Sequence, residues 1–381
     1  MRDSMYRGLK RAYGYDEVAL VPGAITINPD QVDITLALGD KTLDIPILAS
    51  AMDGVVDPRF AVAMGRLGGL AVLNLEGVQT RYQDPRTVLD RVIEAPPGER
   101  TGLLQHIYTE PIQERLVGER VHEIRAGGVL AAVSATPTNA LRFGPVAAEA
   151  GADFFVVQST VTTARHVSRT YPLLNFTELR QALRIPLVVG NCVSYAAALE
   201  LMDTGIEGLL VGVGPGAACT SRQVLGIGVP QVTATMDCAA ARDHYFKSSG
   251  RYVAIITDGG MSTGGDICKS IASGADGVML GSPFAQSQEA PGRGYHWGMA
   301  TPHPALPRGT RIRVGTRGTL EQILFGPTSL TDGTQNLVGA LRMSMGMLGA
   351  RNIKEMQQVE MAIAPSIRTE GKAYQMAQGL A

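Results

Sequence analysis

Apolar, largely β-branched residues gather along the chain in runs of four to eight, each closed by small or polar residues and followed by a helical pattern. The runs are IPILASAMD from Ile45, GLAVLN from Gly69, VLAAVSAT from Val129, FFVVQST from Phe154, LVVGN from Leu187, GLLVGVG from Gly208, VAIITDGG from Val253 and GVMLGS from Gly277. They are continuous rather than alternating, so the strands they predict are buried on both faces, as in a parallel sheet. The segments between them, such as SYAAALELMDTG at 194–205, have the length and Ala/Leu/Glu content of crossover helices. Eight such βα units predict an α/β fold, a closed (β/α)8 TIM barrel spanning 1–381 as a single domain; an open doubly wound sheet would fit the same pattern. A ninth run, LLQHI from Leu103, sits with a charged helical stretch between units two and three and reads as an insertion. The longest non-periodic stretch, 289–318, follows the eighth strand, and a loop of that length there is expected to be an active-site lid.

Composition narrows the partners. Thirty-four Lys+Arg against 35 Asp+Glu leave a net charge of -1, which offers nucleic acid no general basic surface and leaves a small molecule as the expected ligand. The 45 glycines, about 12% of the chain against a usual ~7%, lie beside the apolar runs, as tight βα loops require. No stretch reaches the ~18 uninterrupted apolar residues of a membrane span, and the start MRDSMYRGLKRAYGYDE lacks an apolar signal core, so a cytoplasmic location is expected. Cys192, Cys219, Cys238 and Cys268 form no C-x-x-C pair, and neither a zinc site nor a disulfide framework is indicated.

In such a barrel, chemistry belongs at the C-terminal strand ends. SAMDG, QST, GNCVS, GVGPGAACTSR, TDGG and LGS all fall there. Three glycines and a proline ahead of Cys219 form a loop that would present its thiol at the barrel mouth as a nucleophile for an electron-poor carbon; read alone, a free cysteine is also an ordinary small buried residue, the reading given to the other three. TDGG (257–260) and LGS (280–282) suit a nucleotide monophosphate: glycines admit backbone N–H groups to a phosphate, and an Asp accepts from ribose hydroxyls, although either motif alone is also a common turn or cap. Arg308, Arg311, Arg313 and Arg317 cluster in the expected lid near His296 and His303. They read equally as solvated loop charge or as arginines that steady a hydroxide-like water.

With these motifs in place the chain resembles the IMP dehydrogenase and GMP reductase family, through YDEVALVPG (15–23), ASAMDGV, VGNCVS, the GPGAACT loop and LVGALRMSMGMLGA (337–350). The resemblance implies a (β/α)8 barrel, homotetrameric or larger. It also implies the branch without CBS modules, because only 81–128 stands where the pair would be inserted. By the same resemblance, Cys219 adds to C2 of the purine, a hydride passes to NAD, and a lid-activated water releases XMP. Asp258 would hold the ribose; Gly260, Gly281 and Ser282 the phosphate; Ser50 and Met52 would pack on the nucleotide, with Gly298 and Met299 at the base. Gln158, Ser159, Asn191, Gly212 and Gly214 would line the cofactor side.

Departures from the family pattern bear on the reaction. Ala217 stands where the family often has a phosphate-binding Ser, and Gln158 where it has an Asp facing the cofactor, so phosphate contacts and NAD against NADP preference are both affected. The lid is short and lacks the usual Arg-Tyr pair. A GMP reductase would use a Thr-Glu relay, whose positions fall on Ser221 and Arg308. A guanidinium cannot serve as that acceptor, whereas Arg308 could stabilise hydroxide, which favours IMP oxidation over NADPH-dependent GMP reduction. A non-catalytic purine nucleotide binder is the alternative of another class. No metal is expected: where the family encloses potassium with a C-terminal Glu-Gly-Gly, this chain has TEGK, and the Lys372 ammonium would take the ion's place, or is simply a surface lysine.

Overall fold

The computed structural model describes residues 9–169, 174–298 and 311–364. Eight parallel strands close into a barrel: β1 (Ile47–Ala49), β2 (Leu70–Asn74), β3 (Ala132–Ala135), β4 (Phe154–Gln158), β5 (Leu187–Cys192), β6 (Gly208–Val211), β7 (Ala254–Asp258) and β8 (Gly277–Leu280). Seven lie within one of the eight apolar runs, and β5 passes the end of its run by one residue, Cys192. The open doubly wound sheet is thereby excluded, since β8 pairs back onto β1 through Val278↔Ile47 and Leu280↔Ala49.

Burial on both faces divides the strand residues between two apolar cores. Leu48, Val72, Phe154, Val156, Val188, Leu210, Ile256 and Met279 fill the barrel interior. The alternate residues, such as Ile47, Leu73, Phe155, Val189, Leu209, Ile255 and Val278, pack outward against the helices. A hairpin of Leu36–Leu38 and Lys41–Leu43 sends Leu36, Leu38 and Leu43 into the interior core, and its leucines lie against Gly208 and Gly277 at strand starts, which closes the N-terminal end. The opposite end is left to the βα loops.

Some crossover helices begin on side-chain caps, as at Asp57 before Pro58–Arg66 and Ser194 before Tyr195–Asp203. Between β2 and β3 the chain forms helices Val78–Arg81, Pro85–Glu94, Arg100–Ile107 and Glu114–Ala126. The LLQHI run is thus part of a helix. Val78, Val88, Leu89, Val92, Leu104 and Ile107 from this region bury Trp297, which lies beyond β8. Trp297 Nε1 donates to the Tyr108 hydroxyl at 2.8 Å, and that hydroxyl donates to Asp53 at 2.6 Å. No helix among the described residues is long and apolar enough to cross a membrane.

At the closed end, Asp276 just ahead of β8 is 4% exposed. It accepts from Arg242 at 3.0 Å, the Ile255 amide at 2.8 Å, the Tyr252 hydroxyl at 2.7 Å and Gln357 at 3.0 Å, and it pairs with Lys354. Removing one member of such a buried ion pair strands the other charge. Asp276→Ala is therefore expected to lower unfolding free energy by about 3–5 kcal/mol, measured as a shift in the urea midpoint at pH 7; a loss below 1 kcal/mol would assign the network no stabilising role.

Candidate active site

The loops after the strands enclose a cleft of about 580 Å³, a volume suited to a nucleotide-sized ligand. Of the residues singled out in the sequence, Cys219, Ser221, Ser50, Met52, Asp258, Gly260, Gly281, Ser282, Gly298, Gln158, Ser159, Asn191, Gly212 and Gly214 all line it. Met299, Arg308, His303 and Lys372 lie outside the described residues.

The cysteine loop follows β6. Gly212 admits no side chain, because a Cβ would collide with the Asp258 carbonyl, and Gly214 has φ of 77°, a left-handed conformation that favours glycine. Gln231 fixes the loop's base by donating to the carbonyls of Val211 and Asp258, each at 3.0 Å. The Cys219 amide closes a turn onto Gly216 at 3.0 Å, and its half-buried Sγ lies 3.3 Å from Ser221 Oγ at the start of helix Ser221–Leu225. A Cβ at Gly216 would meet nothing within 4 Å, so the loop is open at that point. Cys192, Cys238 and Cys268 are buried.

Asp258, ending β7, receives both neighbouring amides on one oxygen: Gln158 Nε2 at 2.9 Å and Asn191 Nδ2 at 2.8 Å meet at Oδ2. Gln158 also bonds Asn191 Oδ1 at 3.1 Å. Burial nevertheless pushes the carboxyl up to about 6, against the downward pull of the two amides. Gln158 thus engages Asp258 directly, and Ser159 is taken up locally by the Val161 carbonyl and Thr162.

Other lining residues carry no sequence signal of their own. Glu76 accepts from the Thr136 amide, the Thr136 hydroxyl and Asn139 at 2.9, 2.7 and 2.9 Å. His296 sits 3.0 Å from Ser282. Only the spacing of Glu76 past the second strand end could have pointed to it. The arginines of the 289–318 stretch that are described bond to or stack on nearby protein groups: Arg311 is buried on the carbonyls of Val92 and Ile93, Arg317 bonds Asp332 at 2.7 Å, and Arg313 lies over the Tyr295 ring. Among the described residues no group of three His, Cys, Asp or Glu is placed to hold a metal ion.

Comparison with known proteins places this arrangement in context. The model of the IMP dehydrogenase / GMP reductase domain matches residues 12–301. An uncharacterized oxidoreductase of Mycolicibacterium smegmatis is 40% identical over 368 residues, covering 94% of this chain and 98% of that protein. Inosine-5'-monophosphate dehydrogenase of Cryptosporidium parvum is 28% identical over 386 residues, covering 92% and 91%. The crystal structure of an IMP dehydrogenase/GMP reductase-like protein from Corynebacterium glutamicum superposes with a TM-score of 0.89 at 34% identity, over 95% of this chain and 97% of that one.

The raised pKa of Asp258 has a stability consequence with a definite sign. The folded state holds this proton more tightly than the unfolded chain does, so ionising the carboxyl as pH rises from about 4 to about 6 costs native stability. Asp258→Asn, which cannot ionise and still accepts from both amides, is expected to be more stable than wild type by about 1–3 kcal/mol above pH 6, with no advantage below pH 4. Melting temperatures of both proteins across that range check this; a constant difference would mean that the carboxyl titrates normally.

Proposed function

Starting from the premise that the chain belongs to the IMP dehydrogenase/GMP reductase family, we propose that it is an IMP dehydrogenase, oxidising IMP to XMP with NAD. The observation that carries the reading is the Cys219 thiol on its glycine loop in one cleft with the Asp258 carboxylate and the Gly281–Ser282 turn. A nucleophile, a ribose acceptor and hydroxyl and amide donors for a phosphate are what a covalent reaction on a purine monophosphate needs in one place.

In this reading the purine lies over the open face of the loop. Asp258 accepts from the ribose hydroxyls with its free oxygen, its other oxygen being held by Gln158 and Asn191. Gly281 and Ser282 take the phosphate, next to Ser50 and Met52; a Cβ at Gly281 would stand 3.1 Å from the Met52 sulfur. The Cys219 thiolate forms a bond to C2, and C2 loses its hydrogen as hydride. Bound NAD supplies the acceptor for that hydride. Water then adds to C2, the S–C2 bond breaks with its electron pair returning to sulfur, and XMP leaves with a proton released. Ser221, 3.3 Å from the sulfur, is placed to share hydrogen bonding with the thiolate or the incoming water. Arg308, by the family resemblance, is the residue to stabilise the water's hydroxide character. Asn191, Gly212 and Gly214 flank the side of the loop where the nicotinamide would stack.

Absorbance of reduced nicotinamide tests the reaction. The band is expected to grow with IMP plus NAD and to stay flat with GMP plus NADPH, and Cys219→Ala is expected to lower the rate by at least about a thousandfold without shifting the melting temperature by more than a few degrees. A C2-reactive purine nucleotide should add its mass to the wild type and not to Cys219→Ala. Consumption of NADPH with GMP would assign the reductase reaction instead, and absence of both turnover and adduct would leave a nucleotide-binding role.

A further inference from the structure

Tyr108 links two segments that line the cleft, although it does not line the cleft itself. It follows helix Arg100–Ile107 directly, and its hydroxyl accepts from Trp297 Nε1 at 2.8 Å and donates to Asp53 Oδ2 at 2.6 Å. All three side chains are buried. Asp53 and Trp297 are not cleft residues either, but each is the chain neighbour of one: Asp53 follows Met52, and Trp297 precedes Gly298. One segment comes after β1 and the other after β8, and the hydroxyl that joins them comes from the helices between β2 and β3.

Backbone contact sets how close the two segments lie. The Gly54 carbonyl accepts from the Gly292 amide at 3.1 Å, and a Cβ at Gly54 would stand 2.6 Å from the Tyr295 carbonyl oxygen, so they meet main chain to main chain. Side chains then set their orientation. Asp53 Oδ2 also accepts from the Val78 amide at 2.8 Å, and a Cβ at Gly77 would collide with its other oxygen, so the carboxylate is seated on the start of helix Val78–Arg81. Trp297 packs among Val78, Val88, Leu89, Val92, Leu104 and Ile107. Apolar burial is non-directional and holds an indole without fixing its rotation. The Tyr108 hydroxyl, with its proton committed to Asp53 and a lone pair to Trp297, specifies one arrangement of both.

We propose that Tyr108 is a positioning residue for the nucleotide cleft, its hydroxyl clamping Asp53 and Trp297 so that Met52 and Gly298 stand in their binding arrangement before a ligand arrives. The inference rests on the nucleotide reading above and adds to it a residue from outside the cleft. The clamp makes no contact with the ligand; it lowers the cost of binding by removing freedom from the empty cleft. Without the hydroxyl, the indole N–H loses its acceptor and Asp53 loses a donor in buried surroundings, and other arrangements of the two segments compete. Apparent affinity then falls in proportion to the fraction of molecules that keep the binding arrangement. Ligand binds that arrangement preferentially and so restores it.

Trp297 is the single tryptophan of the chain, so its fluorescence reads the clamp directly. In calorimetry of the full chain, Tyr108→Phe is expected to bind IMP about ten- to thirtyfold more weakly than wild type. Acrylamide should quench Trp297 at least about twofold more in free Tyr108→Phe than in free wild type, and saturating IMP should return the variant to the wild-type level. Tyr252→Phe, which removes the tyrosine hydroxyl that donates to Asp276 at the closed end, is the matched control and should bind IMP within about threefold of wild type. A loss in Tyr108→Phe below about threefold, an equal loss in Tyr252→Phe, or a Trp297 signal that IMP leaves unchanged in Tyr108→Phe would each overturn the proposal. Should Tyr108→Phe fail to fold, Trp297→Phe decides by calorimetry: it keeps an aromatic ring and leaves Tyr108 on Asp53, a loss of about three- to tenfold is expected, and no loss overturns the proposal. Wild type that binds none of IMP, XMP and GMP would reject the nucleotide reading and this inference together; wild-type binding with an unimpaired Tyr108→Phe would reject this inference alone.

Discussion

Closure of β8 onto β1 is the constraint on which the site depends. Pairing of Val278, Met279 and Leu280 with Ile47, Leu48 and Ala49, followed by the Ser50 amide donating to Leu280 at 2.9 Å, joins the first and last strand ends of the ring. Ser50 and Met52 thereby meet Gly281 and Ser282 although most of the chain separates them in sequence. An open sheet would leave these two edges on opposite sides. The interior core makes closure favourable, since large residues such as Phe154, Leu210 and Met279 fill a ring whose lower end the leucine hairpin seals.

On that ring, Oδ2 of Asp258 ties together the ends of β4, β5 and β7. The family resemblance puts Gln158 on the cofactor side, in the place of an Asp. Its amide donates to Asp258 at 2.9 Å. A carboxylate in its place would face a second carboxylate at that distance and force one of them to hold a proton. With Gln158 there, Asp258 is a carboxylate held by two neutral donors, so the loss of a charge at position 158 is equally a change in how the Asp258 carboxylate is positioned.

The barrel was legible because strands buried on both faces leave continuous apolar runs, and each of the eight observed strands coincides with one to within a residue. The cysteine loop, Asp258 and the Gly281–Ser282 turn were legible because glycines mark places where the backbone must turn tightly or approach closely. His296 and Glu76 were not. Each is held by partners outside its own local sequence, Ser282 for one and Thr136 with Asn139 for the other, and neither sits in a distinctive local pattern. The arginines after β8 show the converse: a dense basic cluster in sequence resolves into Arg311 on two helix-end carbonyls and Arg317 on Asp332, because long side chains reach structural acceptors that spacing does not reveal. The roles of Arg308 and Met299 stand on the resemblance alone.

The end of β5 shows how finely backbone geometry sorts reactive groups. Val189 points outward into the helical layer, and Gly190 lies opposite Leu210 of the interior core. Strict alternation would next send Asn191 outward and Cys192 inward. The register slips between Gly190 and Cys192 instead, so that Gly190 pairs with Leu210 and Cys192 with the very next residue, Val211. Such an extra residue re-aims side chains. Asn191 turns into the cleft onto Asp258, while Cys192 returns to the outer core with its sulfur 3.9 Å from that of Cys238. Without the bulge the thiol would face the cleft, the amide would be buried among apolar helices, and Asp258 would lose one of its two donors. A one-residue irregularity therefore keeps a second thiol away from the ligand and leaves Cys219 as the cysteine that lines the cleft.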